Sequence, residues 1–444
     1  MHMMTLAPAD VPAEEPAPPD AFLFMGDLVV LARQGRLIEE AARRGLAPIA
    51  VVSDDTDMTR LDAVRADADH PLSALVEVVQ VPDARIVSVV PGVQPLLSRY
   101  RVRGIISVGE VFVEPAGVLA DCLGLPGAGS AASVICRNKL LQRTAAPAHA
   151  PRWQVVPVAE RASFTLPADA FPSVVKPAGR FYSSGVRQVS DQAQLTDALA
   201  QFGADEISLV ESRVTGREFS VEALVQHGTV IWSGVTGKQT NEHEGPYFTE
   251  LGHTSPAVID EGEERALIGA NVDVLARVGV RDAITHAEYR LTPDGDVVLM
   301  EVAVRLPGDA ITFLWELATG EPVETVMIDL ALGLPAAYPA PRRRARQQFV
   351  DHPHGRLNDV TAESLPVSWP SRDDAWPFHS PVAADAEAGA RGVLVGRLPG
   401  DVLGPQLDSG HRSASVIVDA PLDEDIDLVT KRAVALVGFE VGPV

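Results

Sequence analysis

Apolar runs and amphipathic stretches alternate along the first part of the chain. The run AFLFMGDL at residues 21–28 is almost continuously apolar and predicts a buried strand. A helical pattern follows at 37–44, and GLAPIAVVSDD at 45–55 predicts a second strand that ends in acidic residues. Residues 86–90 predict a further strand and 94–100 a helix. Strands and helices in alternation are typical of a parallel, doubly wound sheet.

A change of pattern near residue 135 predicts a domain boundary. Residues 137–143 (RNKLLQR) predict a short basic helix, which an Ala/Pro-rich connection follows. Past residue 340 the chain becomes rich in Gly, Pro and Asp, which predicts a small α+β domain at 341–444. Residues 1–20 form a Pro/Ala-rich tail that we expect to be disordered. We therefore expect an α/β and α+β multidomain protein with a Rossmann-like first domain at 21–135.

A β-hairpin is predicted within residues 286–309, HAEYRLTPDGDVVLMEVAVRLPGD. The Asp294-Gly295 pair lies between two alternating runs, and an Asp-Gly pair in that setting strongly indicates a two-residue hairpin turn. A solvated hairpin with ordinary surface charges is the simplest interpretation of this stretch taken alone.

Counting residues outward from the turn predicts which side chains face each other across the hairpin. The count pairs Tyr289 with Met300 and Glu288 with Glu301. Opposed side chains lie about 4.5–5.5 Å apart at Cβ, and like charges in such a pair destabilise a sheet unless a proton or a cation lies between them. Two carboxylates are the kind of oxygen ligands that hold Mg²⁺ beside substrate phosphates. Arg305 lies two alternations beyond Glu301 and should face the same side.

A Gly- and Ser-rich loop follows the strand that ends in Lys176. Residues 179–185 read GRFYSSG, and backbone N–H groups of such a loop can approach phosphate oxygens while the lysine binds the same anion. The loop is neither a Walker A motif nor a dinucleotide-binding glycine motif. Ordinary hairpin loops have similar compositions. Glu218 could accept hydrogen bonds from ribose hydroxyls, although a surface charge is the simpler interpretation of that residue alone.

A long polar segment, NEHEGPYFTELGHTSP at residues 241–256, precedes a predicted helix at 261–279. Segments of this length in a compact domain are often lids or binding loops, so we expect it to contribute to a site. It contains Glu250 and His253, two side chains that can bind or exchange protons with a substrate.

The charge and the cysteine content exclude several classes of function. The formal net charge of −23 over 444 residues argues against a general nucleic-acid or anionic-membrane partner, since both require a basic surface. The two cysteines are too few for a disulfide scaffold or a thiolate metal site. The N-terminal stretch lacks the basic and apolar regions of a signal peptide. We therefore expect a cytoplasmic protein with small-molecule partners.

The order and spacing of these pieces resemble the ATP-grasp superfamily. The resemblance covers roughly residues 105–320 and includes Lys139, Lys176 with its Gly/Ser loop, VESRVTGREFSVE at 210–222, the polar segment, and HAE…LMEVAVRLPGD. Within the superfamily, RLPGDAI and FTELGHTSP are similar to carboxylate–amine ligases of the L-amino-acid ligase type. The resemblance implies a two-lobed ATP-grasp domain at 136–340, with lobes at about 136–208 and 209–340.

The resemblance also implies a role for each matching position. The implied nucleotide-binding residues are Lys139, Lys176, Ser183, Ser184, Gly185, Glu211, Ser212, Val214 and Glu218. The implied ligands of Mg²⁺ (or Mn²⁺) are Glu288 and Glu301, which agrees with the count from the hairpin. The implied substrate-binding residues are Glu110, Glu250, His253, Arg305 and Gly308. Of these, Arg305, Glu250 and His253 have implied catalytic roles together with Lys176.

The reaction implied by the resemblance has two steps. Mg-ATP phosphorylates a substrate carboxylate, expected to be that of an amino acid, and an amine then attacks the acyl phosphate to give an amide, ADP and phosphate. The alternatives are a ligase that uses another nucleophile, such as bicarbonate or a non-amino-acid amine, and a non-catalytic nucleotide-binding protein. A homodimer is expected by family analogy alone.

One position departs from the family pattern. Ala303 stands two residues after Glu301, where the family usually has an Asn that serves as a further Mg²⁺ ligand. The count from the turn sets Ala303 opposite His286. Water or substrate then completes the metal shell, or one ion binds well, or the domain is catalytically impaired.

Overall fold

The structure is a computed structural model that describes residues 17–180, 184–242, 248–377, 382–406 and 408–444. Most of the predicted N-terminal tail lies outside these residues. The described part begins with exposed residues 17–19, and the first strand starts at Asp20.

The N-terminal domain contains a parallel four-stranded sheet in the order β3-β2-β1-β4. Its strands are β1 (Asp20–Met25), β2 (Ala47–Ser53), β3 (Glu77–Val81) and β4 (Arg101–Ser107). Its helices are α1 (Leu28–Arg33), α2 (Gly35–Arg43), α3 (Met58–Ala66), α4 (Ile86–Leu97) and α5 (Val113–Cys122). The predicted Rossmann-like fold class is confirmed.

One predicted strand in this domain is wrong. Residues 86–90 form the first part of α4, and the third strand is β3, which the pattern did not indicate. A short apolar run cannot be assigned to strand or buried helix by periodicity alone. Strand β3 is half-buried along most of its length, because it lies at the edge of the sheet, and so lacks the apolar run of a central strand.

The next segment forms a small antiparallel lobe. Helices α6 (Ser130–Cys136) and α7 (Lys139–Ala145) lead into a sheet of order β5-β8-β6-β7. These strands are β5 (Trp153–Val156), β6 (Ser173–Pro177), β7 (Arg187–Val189) and β8 (Ser208–Ser212), with α8 (Gln192–Ala200) packed on them. Asn138 begins α7 because its side chain accepts hydrogen bonds from the N–H groups of Leu140 and Leu141.

A nine-stranded sheet in the described residues joins the larger lobe to the C-terminal region, in the order β13-β12-β9-β10-β11-β14-β19-β17-β16. Its first part contains β9 (Arg217–Gln226), β10 (Thr229–Thr240), β11 (Glu250–Ser255), β12 (Ala283–Leu291) and β13 (Val297–Ala303). Helix α9 (Glu261–Val278) packs on one face; helices α10 (Ile311–Thr319) and α11 (Val323–Leu332) follow the hairpin.

The C-terminal residues extend this sheet and add a second, three-stranded one. The remaining elements are β14 (Arg343–Val350), β15 (Gly355–Ala362), β16 (Val367–Ser368), α12 (Pro370–Asp373), β17 (Gly389–Val395), β18 (Val402–Leu403), β19 (Ala414–Pro421), α13 (Ile426–Val434) and β20 (Val437–Gly442). Strand β11 pairs directly with β14. Arg343 and Asp419 form a fully buried ion pair at 2.7 Å within this extension. One sheet thus contains strands from both sides of residue 340. The predicted domain boundaries stay predictions.

The hairpin of β12 and β13 has the predicted central pairing, reached through two irregularities. The turn is one residue longer than expected, since Leu291 pairs with Val297 and Gly295 adopts φ = 89°. A bulge at Met300 then restores the count, so Tyr289 faces Leu299 rather than Met300. Beyond the bulge Glu288 pairs with Glu301, and His286 pairs with Ala303, as expected.

The turn between β8 and β9 depends on Gly216. Its φ of 139° lies in the region that L side chains rarely adopt, and a Cβ there would overlap the carbonyl oxygen of Leu291. This turn sets where Glu218 enters the larger sheet.

We expect Gly216→Ala to destabilise the protein by about 2 kcal/mol or more, through backbone strain and the clash with Leu291. That is a loss of roughly 4 °C or more in Tm for a domain of this size. Gly269→Ala is the matched control, because Gly269 is exposed within α9 with nothing within 4 Å of an added Cβ, and alanine favours a helix. A Gly216→Ala protein with the Tm of the wild type would contradict this account of the turn.

Candidate functional site

A cleft of about 750 Å³ lies between the small lobe and the larger sheet. It is lined by nine of the residues that the sequence singled out, from both lobes. These are Lys139, Lys176, Ser184, Glu211, Ser212, Val214, Glu218, Glu288 and Glu301. Ser183 falls outside the described residues, and Gly185, at φ = 77°, lies beside Arg180 at the cleft.

The floor of the small lobe contains a buried triad of charges. Glu211 Oε2 lies 2.7 Å from Lys176 Nζ, and Glu211 Oε1 accepts a hydrogen bond of 2.7 Å from Arg143 Nε. Burial opposes ionisation of Glu211, but the charges of Lys176 and Arg143 outweigh it and lower its pKa to about 2. Burial lowers the pKa of Lys176 to about 8, only partly offset by Glu211. The sequence did not indicate Arg143, because its helical position has no pattern that distinguishes it from a surface arginine.

A second lysine, Lys139, bridges the two lobes. Its Nζ donates to Glu301 Oε1 at 2.9 Å and to the carbonyl oxygen of Arg180 at 2.8 Å. Lys139 is buried at the N-terminus of α7, which places its ammonium between the hairpin and the start of the Gly/Ser loop.

Lys238, which the sequence did not indicate, lies among three carboxylates of the larger sheet. Its Nζ is 2.5 Å from Glu288 Oε1, contacts Glu250 and lies 4.0 Å from Glu218. Burial opposes the charge of Lys238, but the three carboxylates raise its pKa well above the ordinary value. Burial likewise opposes ionisation of Glu288 and Glu250, and Lys238 outweighs it, so that the pKa of both carboxyls is lowered.

Arg290 is a further residue that sequence reasoning missed. It donates to Glu218 at 2.7 Å, to Glu242 at 2.8 Å and to the carbonyl oxygen of Val214 at 3.1 Å, and it faces the ring of Phe248. Its alternation with Glu288 along β12 is the pattern that could have identified it. Arg290 thus fixes one wall of the cleft, where Glu218 and the segment after β8 meet.

A polar cluster continues from Glu250 toward the C-terminal region. His253 Nε2 lies 2.7 Å from Asp309 Oδ2 and 3.8 Å from Glu250 Oε2. Arg412 forms a two-point ion pair with Asp309 at 2.8 and 2.9 Å and lies over the ring of Phe349. The sequence indicated Glu250 and His253, but nothing connected them to a residue more than 150 positions away.

Arg305 lies outside the set of described residues that line the cleft and pairs with the N-terminal domain. Its guanidinium contacts Glu110, which Arg137 also contacts from the end of α6. Burial opposes ionisation of Glu110, but the two arginines outweigh it and hold its pKa below the ordinary value. Gly308 follows on the same segment, with nothing within 4 Å of an added Cβ. Glu110 and Arg305, predicted separately, are therefore direct partners.

The sequence comparison identifies the fold family of this region. Residues 169–313 match the ATP-grasp domain family. This chain contains an ATP-grasp domain. The matched residues contain Lys176, Glu218, Glu288 and Glu301, so the ATP-grasp match covers most of the cleft described above.

Individual relatives agree with this assignment. The chain is 28% identical over 207 residues to the D-alanine–D-alanine ligase of Anaeromyxobacter sp. (strain Fw109-5), covering 44% of this chain and 66% of that protein. It is 23% identical over 227 residues to the alanine–anticapsin ligase of Bacillus subtilis (strain 168), covering 45% and 47% respectively. Both matches span less than two thirds of the relative's own length.

A solved structure with the same overall fold is the L-amino acid ligase from Bacillus licheniformis. It superposes with a TM-score of 0.73 at 18% identity and covers 96% of this chain and 100% of that one. The α/β and α+β multidomain fold class is thereby confirmed over nearly the whole chain. Among the described residues, no helix combines the length and apolar character needed to span a bilayer. A cytoplasmic location and a homodimer stay predictions.

We expect Lys238→Met to lower stability by about 3–5 kcal/mol at pH 7, because three clustered carboxylates lose their shared ammonium. Lys238 holds the pKa of Glu250 and Glu288 below the ordinary value, so its stabilisation is present above pH 4.5 and lost as the pH falls further. The difference in urea midpoint between the variant and the wild type should therefore narrow progressively as the pH falls below 4.5. Lys431→Met, at an exposed position of α13, is the control. A difference in urea midpoint between Lys238→Met and the wild type that does not change with pH would contradict the charge argument.

Proposed function

We propose that this protein is an ATP-dependent ligase that forms an amide bond between a substrate carboxylate, that of an amino acid, and an amine, with release of ADP and phosphate. The observation that carries the proposal is the cleft in which two buried lysines of the smaller lobe face the paired carboxylates of the larger sheet. The two relatives bear the names of ligases that act on alanine, and the L-amino acid ligase shares the fold.

The small lobe supplies the groups that would bind the nucleotide. The ammonium groups of Lys139 and Lys176 neutralise phosphate charge, and the backbone around Ser184 and Gly185 approaches the phosphates closely. Glu218 accepts from the ribose hydroxyls, and residues 211–214 form the adenine-facing wall. Both lysines are already held in place by carboxylates, so little conformational freedom is lost when the nucleotide binds.

The donor set fits Mg²⁺ or Mn²⁺ at the hairpin. Glu288 and Glu301 are directly opposed on β12 and β13. Lys238 of β10 compensates the negative charge of Glu288, and Lys139 of α7 compensates that of Glu301. A carboxylate pair beside a phosphate-binding cleft is a typical magnesium site. The bound ion would neutralise charge on the transferring phosphoryl group.

The remaining predicted residues would act on the substrates. Arg305 steadies the phosphoryl group as it passes to the substrate carboxylate, and Glu110 orients Arg305 through their ion pair. The amine then attacks the acyl carbon, and phosphate leaves. His253 has a buried Nδ1 without a hydrogen-bond partner in the described part of the chain, which makes it a suitable acceptor for the proton of the amine. Glu250 and Gly308 border the same region.

We expect ADP release with Mg²⁺ and ATP to require a pair of substrates, and the condensed product to appear by mass. A matrix of amino-acid pairs, with each amino acid also tested alone, measures this directly. Glu301→Gln should abolish ADP release, because it removes one of the two facing carboxylates, whereas Glu261→Gln on the exposed start of α9 should not. Release with bicarbonate or a simple amine would favour the alternative nucleophiles. Nucleotide binding without release under any condition would favour the non-catalytic alternative.

We expect the affinity for ADP to depend on pH through Lys176. Its pKa of about 8 means that the ammonium form predominates at neutral pH and is progressively lost as the pH rises through 8, and phosphates bind the ammonium form. The dissociation constant should thus rise by up to tenfold per pH unit above pH 8 in calorimetric titrations. Lys176→Arg should flatten the profile, because arginine keeps its charge. Equal slopes for the two proteins would remove Lys176 from the phosphate site.

A further inference from the structure

His286 lies on the same face of the larger sheet as the two carboxylates of the hairpin. It precedes Glu288 by two residues on β12, so the two side chains project to one side. Across the hairpin, Glu288 pairs with Glu301 and His286 pairs with Ala303. Two adjacent cross-strand pairs therefore present two carboxylates, one imidazole and one methyl group. The methyl group belongs to a residue that cannot donate to a metal ion.

Both nitrogens of the His286 ring contact carboxylates. Nδ1 lies 2.8 Å from Glu222 Oε1, and Nε2 lies 3.3 Å from Glu288 Oε1. The ring is buried, and Glu222 lies directly opposite it on β9. Nε2 is thus the nitrogen that faces the hairpin site, while Nδ1 faces the interior of the sheet.

Glu222 is itself held by three further donors, which fixes the orientation of the ring. It accepts hydrogen bonds from Ser220 Oγ at 2.7 Å, Thr236 Oγ1 at 2.6 Å and Trp315 Nε1 at 3.0 Å. With Glu222 so anchored, Nδ1 of His286 has one fixed carboxylate partner, and Nε2 is the ring nitrogen left facing Glu288 and the hairpin. A carboxylate that binds one ring nitrogen while the other faces a metal site is the usual arrangement around metal-binding histidines.

We propose that His286 is a protein ligand of the divalent ion at Glu288 and Glu301, through Nε2, and that Glu222 is its positioning residue. This inference rests on the proposed function, since it extends the metal site of that reaction. It places a nitrogen donor beside the position where Ala303 offers none. Imidazole suits Zn²⁺, Fe²⁺ and Ni²⁺ better than Mg²⁺, so the site should discriminate among divalent ions more strongly than an all-oxygen site.

The competing explanation is that His286 only donates a hydrogen bond to Glu288 and never contacts the ion. The two arrangements differ in one observable, the magnetic coupling between a bound Mn²⁺ and the ring nitrogen. Electron spin echo envelope modulation of the wild-type protein with Mn²⁺ and ADP measures that coupling. Labelling with ¹⁵N-histidine identifies the residue type without any substitution, so a folding defect cannot interfere.

We expect the wild-type protein to show directly bonded nitrogen coupling that changes on ¹⁵N-histidine labelling. His286→Gln should abolish it and weaken Mn²⁺ binding at least tenfold. His227→Asn should leave both unchanged, because His227 is an exposed turn residue with φ = 51°, which asparagine tolerates. Adding Ala303→Asn to His286→Gln should restore ion binding through an amide oxygen without restoring the coupling.

The outcomes separate this inference from the proposed function. Mn²⁺ binding that Glu301→Gln abolishes, but that shows no histidine coupling, would overturn the role of His286 and leave the hairpin metal site in place. Mn²⁺ binding that neither Glu301→Gln nor His286→Gln weakens would overturn both. Coupling that survives His286→Gln would assign the nitrogen to another histidine and overturn the inference as well.

Discussion

The cross-strand pair of Glu288 and Glu301 is the constraint on which the rest of the site depends. Two carboxylates that face each other on adjacent strands repel, and the fold tolerates them because cations approach from both sides. Lys139 contacts Glu301 from the first turn of α7, and Lys238 contacts Glu288 from β10, two strands away from β12 in the same sheet. The pair therefore ties the lobes together, since removing it would take from Lys139 its carboxylate partner and from Lys238 one of its two close ones.

The same compensation extends outward through a chain of alternating charges. Lys238 also contacts Glu250, which lies near His253, and His253 shares Asp309 with Arg412. This path leads from the hairpin to the C-terminal region without a break. The nine-stranded sheet explains why it can, because β11 and β14 are neighbours and bring residues on either side of position 340 into direct contact. Residues outside 169–313, such as Lys139 and Arg412, therefore also contribute charged side chains to this network.

The hairpin illustrates how a count from the sequence can succeed for an incomplete reason. The predicted turn was one residue too short, and a bulge at Met300 cancelled the error before the count reached Glu301. In the neighbouring pair of strands, β9 and β10, a bulge near Ile231 makes a count from the turn wrong by one residue. Counting back from the turn at β9 and β10 would have put Lys238 opposite Arg217, whereas the bulge puts it opposite Glu218. Bulges are set by packing and twist, which alternation alone does not encode.

The sequence by itself determined the fold class, the hairpin and most residues of the cleft. Alternating apolar runs encode buried strands, and Lys176, Glu218, Glu288 and Glu301 all lie within the residues that match the ATP-grasp domain family. Only the tertiary structure decided the ion-pair partners of those residues. Arg143, Lys238, Arg290 and Arg412 are far from their carboxylates along the chain, and an arginine or lysine has the same local pattern whether it is solvated or buried. Burial strengthens the effect of such an ion pair on the pKa values of its members, and burial is decided by how the sheets pack.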